Sequence, residues 1–187
     1  MRRYRPHASL LHSWGLSDDI AGLERCARTA VEALAGTVAA VKPQAAFFER
    51  FGSRGVAVLE TVIAEAKAAG ALVITDVKRG DIGSTMEAYG EAYLNPNSPL
   101  GSDALTVSPY LGVGTLVSTF DRALRYGNGI FVLALTSNPE GRQVQRSVRR
   151  TESGEMGETT LAQSIIDEVG AYNRAHAPEG LGEESLG

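Results

Sequence analysis

One short stretch of the sequence places acidic and basic side chains directly after an apolar run. Residues 72–75 read Leu-Val-Ile-Thr, and Asp76, Lys78 and Asp81 follow within the next six positions. Because successive side chains of a strand point to opposite faces, Asp76 and Lys78 lie on the same side, about 6–7 Å apart along the backbone. They can therefore form an ion pair. Gly80 ends the strand and lets Asp81 leave the line of the other two.

Two interpretations of this stretch are compatible with its spacing. Asp76 and Lys78 can be a structural ion pair at the end of a strand. Alternatively, they belong to a polar site at the carboxyl-terminal rim of a parallel sheet, which is where α/β proteins place their chemistry. The choice between the two depends on what the neighbouring strands contribute.

Length and composition indicate one globular domain that handles a small molecule. The chain has 187 residues, 43% hydrophobic and 21% charged, with a formal net charge of −4. This length fits one domain with a sizeable core. The negative charge argues against general binding to nucleic acids or anionic membranes, so a small metabolite is the expected partner. Cys26 is the one cysteine, which fits a reducing compartment, and together with the lack of any apolar run of about 20 residues it predicts a cytoplasmic protein.

Helical and strand patterns alternate along the chain. Hydrophobic spacing predicts helices at 17–35, 53–69, 84–94, 116–125 and 160–174 and strands at 37–43, 72–75, 104–108 and 130–135. Residues 1–14 and 178–187 show no clear period and are predicted to be irregular. The polar segment 142–157 is predicted to be a surface loop.

Each predicted strand ends in polar residues. They are Lys42 after the first strand, Asp76 and Lys78 after the second, Thr106 and Ser108 after the third, and Thr136, Ser137 and Asn138 after the fourth. Four such endings place polar groups on a common rim, which a (β/α) barrel explains best. A doubly wound open sheet is the alternative architecture.

Several of these segments together resemble a known family. The matching residues, in order, are Val41-Lys42-Pro43, Asp76-x-Lys78-x-x-Asp81, Thr106-Val107-Ser108-Pro109-Tyr110-Leu111-Gly112 and Thr136-Ser137-Asn138-Pro139-Glu140-Gly141. This set is similar to orotidine 5′-phosphate decarboxylase, in the bacterial branch with the signature Asp-x-Lys-Arg-Gly-Asp-Ile. The signature alone is moderately specific, since phosphosugar decarboxylases of the same superfamily share part of it. With Lys42 and the two later loops it becomes highly specific.

The resemblance implies a cofactor-free and metal-free decarboxylation of orotidine 5′-monophosphate to uridine 5′-monophosphate. It implies that Lys78 donates a proton to C6 of the pyrimidine, and that Lys42 and Asp76 hold Lys78 in an array of alternating charge and contact the ribose. Asp81 would complete the site of the partner subunit in a homodimer. Ser108 and the loop of Thr136, Ser137 and Asn138 would surround the pyrimidine.

Elementary electrostatics agrees with these implied roles. A carbanion that develops in a site closed to water is stabilised by a fixed positive charge beside it, and the ammonium of Lys78 supplies one without reorganisation. The carboxylates next to it favour the charged ammonium. They also stand close to the substrate carboxylate and destabilise that group before it leaves. Binding of the remote phosphate and ribose offsets this cost.

Two departures from the family pattern keep other functions open. Arg3-Tyr4-Arg5 precedes Pro6-His7 where the family has Gly-x-Asp, so the first barrel strand and its ribose-binding aspartate are not expected. About four of the eight strands of a closed barrel are recognisable, and the phosphate-binding loop of the family is not found before Gly187, so the barrel is expected to be incomplete and shortened at both ends. The alternatives are an inactive remnant that oligomerises or binds, and a phosphosugar decarboxylase that needs magnesium.

Overall fold

The computed structural model describes residues 1–150 and 156–176 of the chain. The chain forms two compact units, Met1–Phe131 and Val132–Gly187. Its helices are α1 (Ala8–Ser13), α2 (Ile20–Leu34), α3 (Ala46–Glu49), α4 (Gly52–Ala68), α5 (Gly83–Leu94), α6 (Val117–Tyr126), α7 (Arg142–Gln145) and α8 (Leu161–His176). Its strands are β1 (Arg2–Tyr4), β2 (Ala40–Pro43), β3 (Leu72–Arg79), β4 (Ala104–Val107), β5 (Gly129–Val132), β6 (Val148–Arg150) and β7 (Met156–Thr160). That the whole chain is one domain stays a prediction.

The main sheet follows the order of the chain. Strands β1 to β5 are hydrogen-bonded neighbours in sequence, and the pairs β1–β2, β2–β3 and β3–β4 are parallel. A doubly wound sheet reverses its strand order at a switch point, whereas a barrel adds each new strand on the same side of the last. The sequential order therefore excludes the doubly wound alternative and agrees with the predicted barrel architecture.

The two faces of this sheet have different side chains. Val41, Val73 and Leu105 are at most 1% exposed and lie on one face, while the smaller cluster of Ala40, Ile74 and Ala104 lies on the other. Because side chains alternate along a strand, the face that carries this cluster also carries the residues two positions further along β2, β3 and β4. Those residues are Lys42, Asp76 and Thr106. The strands themselves thus direct the polar groups to one side.

Helix α2 begins at a side-chain cap, three residues after the predicted start of this helix at residue 17. Asp19 accepts a hydrogen bond of 2.8 Å from the backbone N–H of Gly22. A Cβ on Gly22 would overlap the carbonyl oxygen of Ser17, so Ser17 lies against the first turn instead of capping it. Cys26 is 1% exposed on the buried face of this helix, and burial raises the pKa of its thiol.

The prediction that residues 1–14 are irregular is wrong. Strand β1 pairs with β2 through the partners Arg2 and Val41, Arg3 and Lys42, and Tyr4 and Pro43. Helix α1 follows and is capped by His7, whose Nδ1 accepts from the backbone N–H of Leu10 at 3.1 Å. A parallel ladder uses backbone groups only, so Arg2, Arg3 and Tyr4 can join an existing strand without any hydrophobic period. The expectation of about four strands is accordingly corrected to five in this sheet.

The second unit has more secondary structure than its polar sequence predicted. Segment 142–157 contains α7, β6 and the start of β7, and β6 pairs antiparallel with β7 through Val148 with Thr160 and Arg150 with Met156. The predicted surface loop is therefore wrong for its described part, while residues 151–155 lie outside the described residues. Helix α8 confirms the predicted last helix. The predicted irregular segment 178–187 lies outside the described residues as well.

Among the helices of residues 1–150 and 156–176, none has both the length and the apolar character needed to cross a bilayer.

Candidate active site

Asp76 is the centre of the polar cluster in the first unit. Its side chain is 1% exposed and lies between two lysines. Lys42 Nζ is 3.2 Å from Oδ2 of Asp76, and Lys78 Nζ donates a hydrogen bond to Oδ1. The three residues therefore form an array of alternating charge, as the family resemblance implies, at the rim that the strand ends predicted.

Burial and charge act in opposite directions on Asp76. Burial by itself raises the pKa of a carboxyl group, because it disfavours the charged form. The hydrogen bond from Lys78 and the positive charge of Lys42 outweigh that effect, and the pKa of Asp76 lies below its usual range. Asp76 is therefore ionised at neutral pH, and the two ammonium groups share one buried counter-charge.

The exposure of the two lysines differs, and this difference separates their roles. The Lys42 side chain is 11% exposed, whereas that of Lys78 is 43% exposed. Lys42 is held beside Asp76 in the buried part of the cluster. Lys78 reaches out of it and is the more accessible of the two lysines. A proton donor needs this access, so the geometry favours Lys78 over Lys42 for that role.

A bulge in β3 gives the Asp76–Lys78 segment its shape. Thr75 pairs with Leu105 and Arg79 with Val107, so β3 advances four residues while β4 advances two. Within the bulge Lys78 has a φ of 50°, in the left-handed region that non-glycine residues seldom adopt. Such strain is typical of functional sites, where the surrounding structure has to hold it in place.

Thr106 occupies the opposite side of this bulge. Its Oγ1 donates to Oδ1 of Asp76 at 3.1 Å and accepts from the backbone N–H groups of Val77 and Lys78, both at 3.0 Å. The sequence placed Thr106 on the polar rim but gave no sign of these contacts. The available signal was a β-branched polar residue at a buried strand end, which is also compatible with ordinary strand propensity.

Asp81 does not join the array within its own chain. Its Oδ1 accepts from the backbone N–H of Ile82 at 2.8 Å, and within residues 1–150 and 156–176 no ion pair of 4 Å or less links it to Lys42 or Lys78. The half-buried Asp81 lies just beyond the end of β3, as the break at Gly80 predicted. Its contribution to a partner's site remains a prediction.

Ser108 is held at the rim by the end of β3. Its backbone N–H donates to the carbonyl oxygen of Arg79 at 2.7 Å, and a Cβ on Gly80 would overlap the carbonyl oxygen of Ser108. The close approach of these two backbones explains why glycine stands at position 80. Ser108 thus lies next to the segment that carries Lys78 and Asp81.

A second group of contacts braces the same segment from the helix side. Arg79 donates to Glu49 of α3, and its guanidinium carbon lies 5.4 Å from the ring centre of Tyr89 on α5. The buried Tyr93, whose pKa is raised by burial, is a further neighbour of this guanidinium. The contact between Arg79 and Glu49 was not predicted from the sequence. The two residues are 30 positions apart, and no spacing or motif around either one indicates the other.

The remaining predicted residues belong to the second unit. Thr136 Oγ1 donates to Oδ1 of Asn138 at 2.6 Å, and Asn138 Nδ2 donates to Glu140 at 3.0 Å. Gln145 of α7 donates to Thr136 Oγ1 at 2.7 Å and accepts from the Thr136 backbone N–H at 2.9 Å. Ser137 is exposed between them. The loop is thus a hydrogen-bonded unit in which Gln145 is a contact that the sequence pattern did not predict.

Chemically, the first unit offers an accessible ammonium beside a buried, fixed anion. An ammonium in this position can stabilise negative charge that develops next to it and then deliver a proton. In the part of the chain that the structure describes, no group of three or more His, Cys, Asp or Glu side chains is arranged to hold a metal ion.

Comparison with known proteins identifies the family. Residues 18–178 match the model of the orotidine 5′-phosphate decarboxylase / HUMPS family. A curated orotidine 5′-phosphate decarboxylase of Streptomyces coelicolor is 61% identical over 183 residues, which are 97% of this chain and 61% of the relative. The enzyme of that name from Salinispora tropica is 61% identical over 175 residues, 94% of this chain and 61% of its own length.

Solved structures give the same result for the fold. A Streptomyces avermitilis crystal structure assigned to orotidine 5′-phosphate decarboxylase has a TM-score of 0.87 at 60% identity, and covers 94% of this chain and 60% of its own. The orotidine 5′-monophosphate decarboxylase of Leishmania donovani has a TM-score of 0.65 at 35% identity, with 82% and 56% covered.

The chain spans about 61% of the length of these curated relatives. Its fold class is α/β of the TIM-barrel family, as predicted, with an incomplete set of barrel strands in the described residues. The matched region contains every predicted site residue, from Lys42 to Asn138. The chain therefore belongs to the orotidine 5′-phosphate decarboxylase / HUMPS family.

Proposed function

We propose that the chain decarboxylates orotidine 5′-monophosphate to uridine 5′-monophosphate in pyrimidine synthesis, without a cofactor or a metal ion. The observation that carries this proposal is the array of Lys42, Asp76 and Lys78, with its buried central carboxylate and one accessible ammonium. Curated relatives of that name, 61% identical to this chain, support the choice of substrate.

In the proposed reaction the bond between C6 of the pyrimidine and its carboxyl carbon breaks. Carbon dioxide leaves and the electron pair stays on C6, where the ammonium of Lys78 stabilises it and then donates a proton. Solvent reprotonates the lysine. Asp76 keeps the ammonium in place, and its negative charge disfavours the substrate carboxylate in the ground state. Lys42 fixes Asp76 from the opposite side and lies near the ribose.

The substrate's remaining contacts are assigned to three further places. Ser108, beside the end of β3, and the loop of Thr136, Ser137 and Asn138 are proposed to surround the pyrimidine. Asp81 is proposed to act in the site of a partner subunit. The free, buried thiol of Cys26 fits a reducing compartment, and we place the chain in the cytoplasm.

The direct test follows the loss of orotidine 5′-monophosphate absorbance with the purified 187-residue chain, with and without a chelator. We expect turnover that the chelator does not change, because a lysine supplies the positive charge that a metal ion would otherwise supply. Absence of any nucleotide binding would favour an inactive remnant. Chelator-sensitive turnover of a phosphosugar in place of the nucleotide would favour the other branch of the family.

A homodimer that shares Asp81 is part of the same proposal. Three large apolar side chains near the site are exposed: Ile82 at 62%, Tyr110 at 80% and Leu111 at 50%. They follow β3 and β4, next to Asp81 and Ser108, and exposed apolar groups of this kind are typical of protein interfaces. The arrangement supports a partner subunit seated over the rim.

Mixing two inactive variants tests the shared site. Lys78→Ala and Asp81→Ala should each be inactive alone, because each homodimer lacks one essential group in both sites. After equal amounts are mixed and allowed to exchange subunits, random pairing gives mixed dimers with one intact site, about a quarter of the wild-type activity. No recovery from a mixture shown to contain mixed dimers would contradict the sharing of Asp81.

A further inference from the structure

The hydroxyl of Thr106 is fully used inside the site. A threonine hydroxyl has one donor and two acceptor positions, and here it donates to Asp76 and accepts from the N–H groups of Val77 and Lys78. Thr106 is 2% exposed, so water is not available to replace these bonds. One side chain thus contacts the carboxylate of the array and the backbone of its proton donor.

The bulge makes this hydroxyl necessary. Between the pairs Thr75 with Leu105 and Arg79 with Val107, the backbone of β4 is too short to meet every N–H group of β3. The two N–H groups that Thr106 accepts from are in this unmatched stretch. A buried N–H group without a partner is destabilising, and the left-handed backbone of Lys78 has a further cost. The hydroxyl offsets both.

We infer that Thr106 is a positioning residue of the proposed decarboxylase, holding Asp76 and the backbone of Lys78 so that the ammonium of Lys78 meets the reacting carbon. This inference rests on the proposed function for its kinetic consequence. Its structural content, that one hydroxyl fixes the bulge, is independent of the reaction and can be measured separately.

The test compares Thr106→Val, which keeps the shape and removes the hydroxyl, with Thr106→Ser, which keeps the hydroxyl. For Thr106→Val we expect kcat for orotidine 5′-monophosphate to fall about 100-fold, because small misplacement of a reacting group has effects of this size. KM should change less than about threefold, because uniform binding is retained. Thr106→Ser should recover kcat to within about threefold of wild type. Thr106→Ala repeats the measurement if Thr106→Val does not fold.

Thr119→Val is the matched control. Thr119 of α6 is 1% exposed, and its hydroxyl has no hydrogen-bond partner among the described residues. The same substitution there should leave kcat unchanged. If Thr106→Val only lowers the melting temperature and its kcat stays within about twofold of wild type, the positioning role is wrong.

Amide hydrogen exchange separates this inference from the proposed function. The N–H groups of Val77 and Lys78 should exchange at least about tenfold faster in Thr106→Val than in wild type, and at nearly the wild-type rate in Thr106→Ser. If wild type shows no turnover while exchange responds in this way, the proposed function fails and the structural role of Thr106 stands. Unchanged exchange at both amides would overturn that role.

Discussion

Replacing Lys78 by alanine is expected to abolish decarboxylation while the chain stays folded. Under the proposed function Lys78 both stabilises the carbanion and donates the proton, so kcat should fall about 10⁴-fold or more. The fold should tolerate the change because the Lys78 side chain is 43% exposed. Asp76 keeps Lys42 and Thr106 as partners. The measurement is turnover of orotidine 5′-monophosphate beside a thermal melt followed by circular dichroism.

A second lysine of the same unit provides the control. Lys67 on α4 is 37% exposed, lies 3.7 Å from Asp103 and donates to the carbonyl oxygen of Gly101 at 3.3 Å. Lys67→Ala removes the same side chain away from the array and should keep wild-type kcat. Substantial turnover by folded Lys78→Ala would contradict the assignment of the proton donor.

That Asp76, Lys78 and Lys42 lie at one rim could be predicted from the places of these residues at strand ends, and the family resemblance implied their array. In a regular strand, residues two positions apart such as Asp76 and Lys78 share a face. Lys42 ends the neighbouring strand, and the parallel order of the sheet brings that end to the same rim. Period-two alternation and sequential strand order therefore predict the common rim, but the bulge between Thr75 and Arg79 departs from that alternation.

Contacts that depend on irregular backbone could not be predicted. No hydrophobic period indicates that β3 carries a bulge, so the three hydrogen bonds of Thr106 had no signal in the sequence. Strands β1 and β6 are held by backbone pairing, which any side chain allows. Their arginines give no hydrophobic alternation, so the sequence did not indicate these strands. The link of Arg79 to Glu49 depends on how α3 packs, which is tertiary information.

Asp76→Asn is expected to cost both activity and stability. The change removes the one buried negative charge between Lys42 and Lys78 and leaves two ammonium groups near each other, with Lys42 only 11% exposed. Breaking a buried pair in this way typically costs about 3–5 kcal/mol in the free energy of unfolding. Turnover should fall as well, because Lys78 loses the group that holds it. Urea unfolding at pH 7 measures the stability loss.

The pH dependence of the stability loss in Asp76→Asn identifies the charge of Asp76 as its cause. Because the pKa of Asp76 is lower in the folded chain than in the unfolded chain, the ionised carboxylate stabilises the fold fully above the unfolded value of about 3.9. This stabilisation is lost as pH falls through the lower, folded pKa. The difference between wild type and Asp76→Asn should therefore be constant near neutral pH and shrink below about pH 4.

Glu65→Gln distinguishes a buried ion pair from a surface one. Glu65 lies 2.7 Å from Arg28, and their side chains are 34% and 51% exposed. Water screens such a pair, so this variant should lose far less stability at pH 7 than Asp76→Asn. Equal losses for the two variants, or a loss for Asp76→Asn that is the same at pH 7 and pH 3, would mean that the charge of Asp76 does not hold the array together. In that case its role in the proposed reaction would have to be assigned to another group.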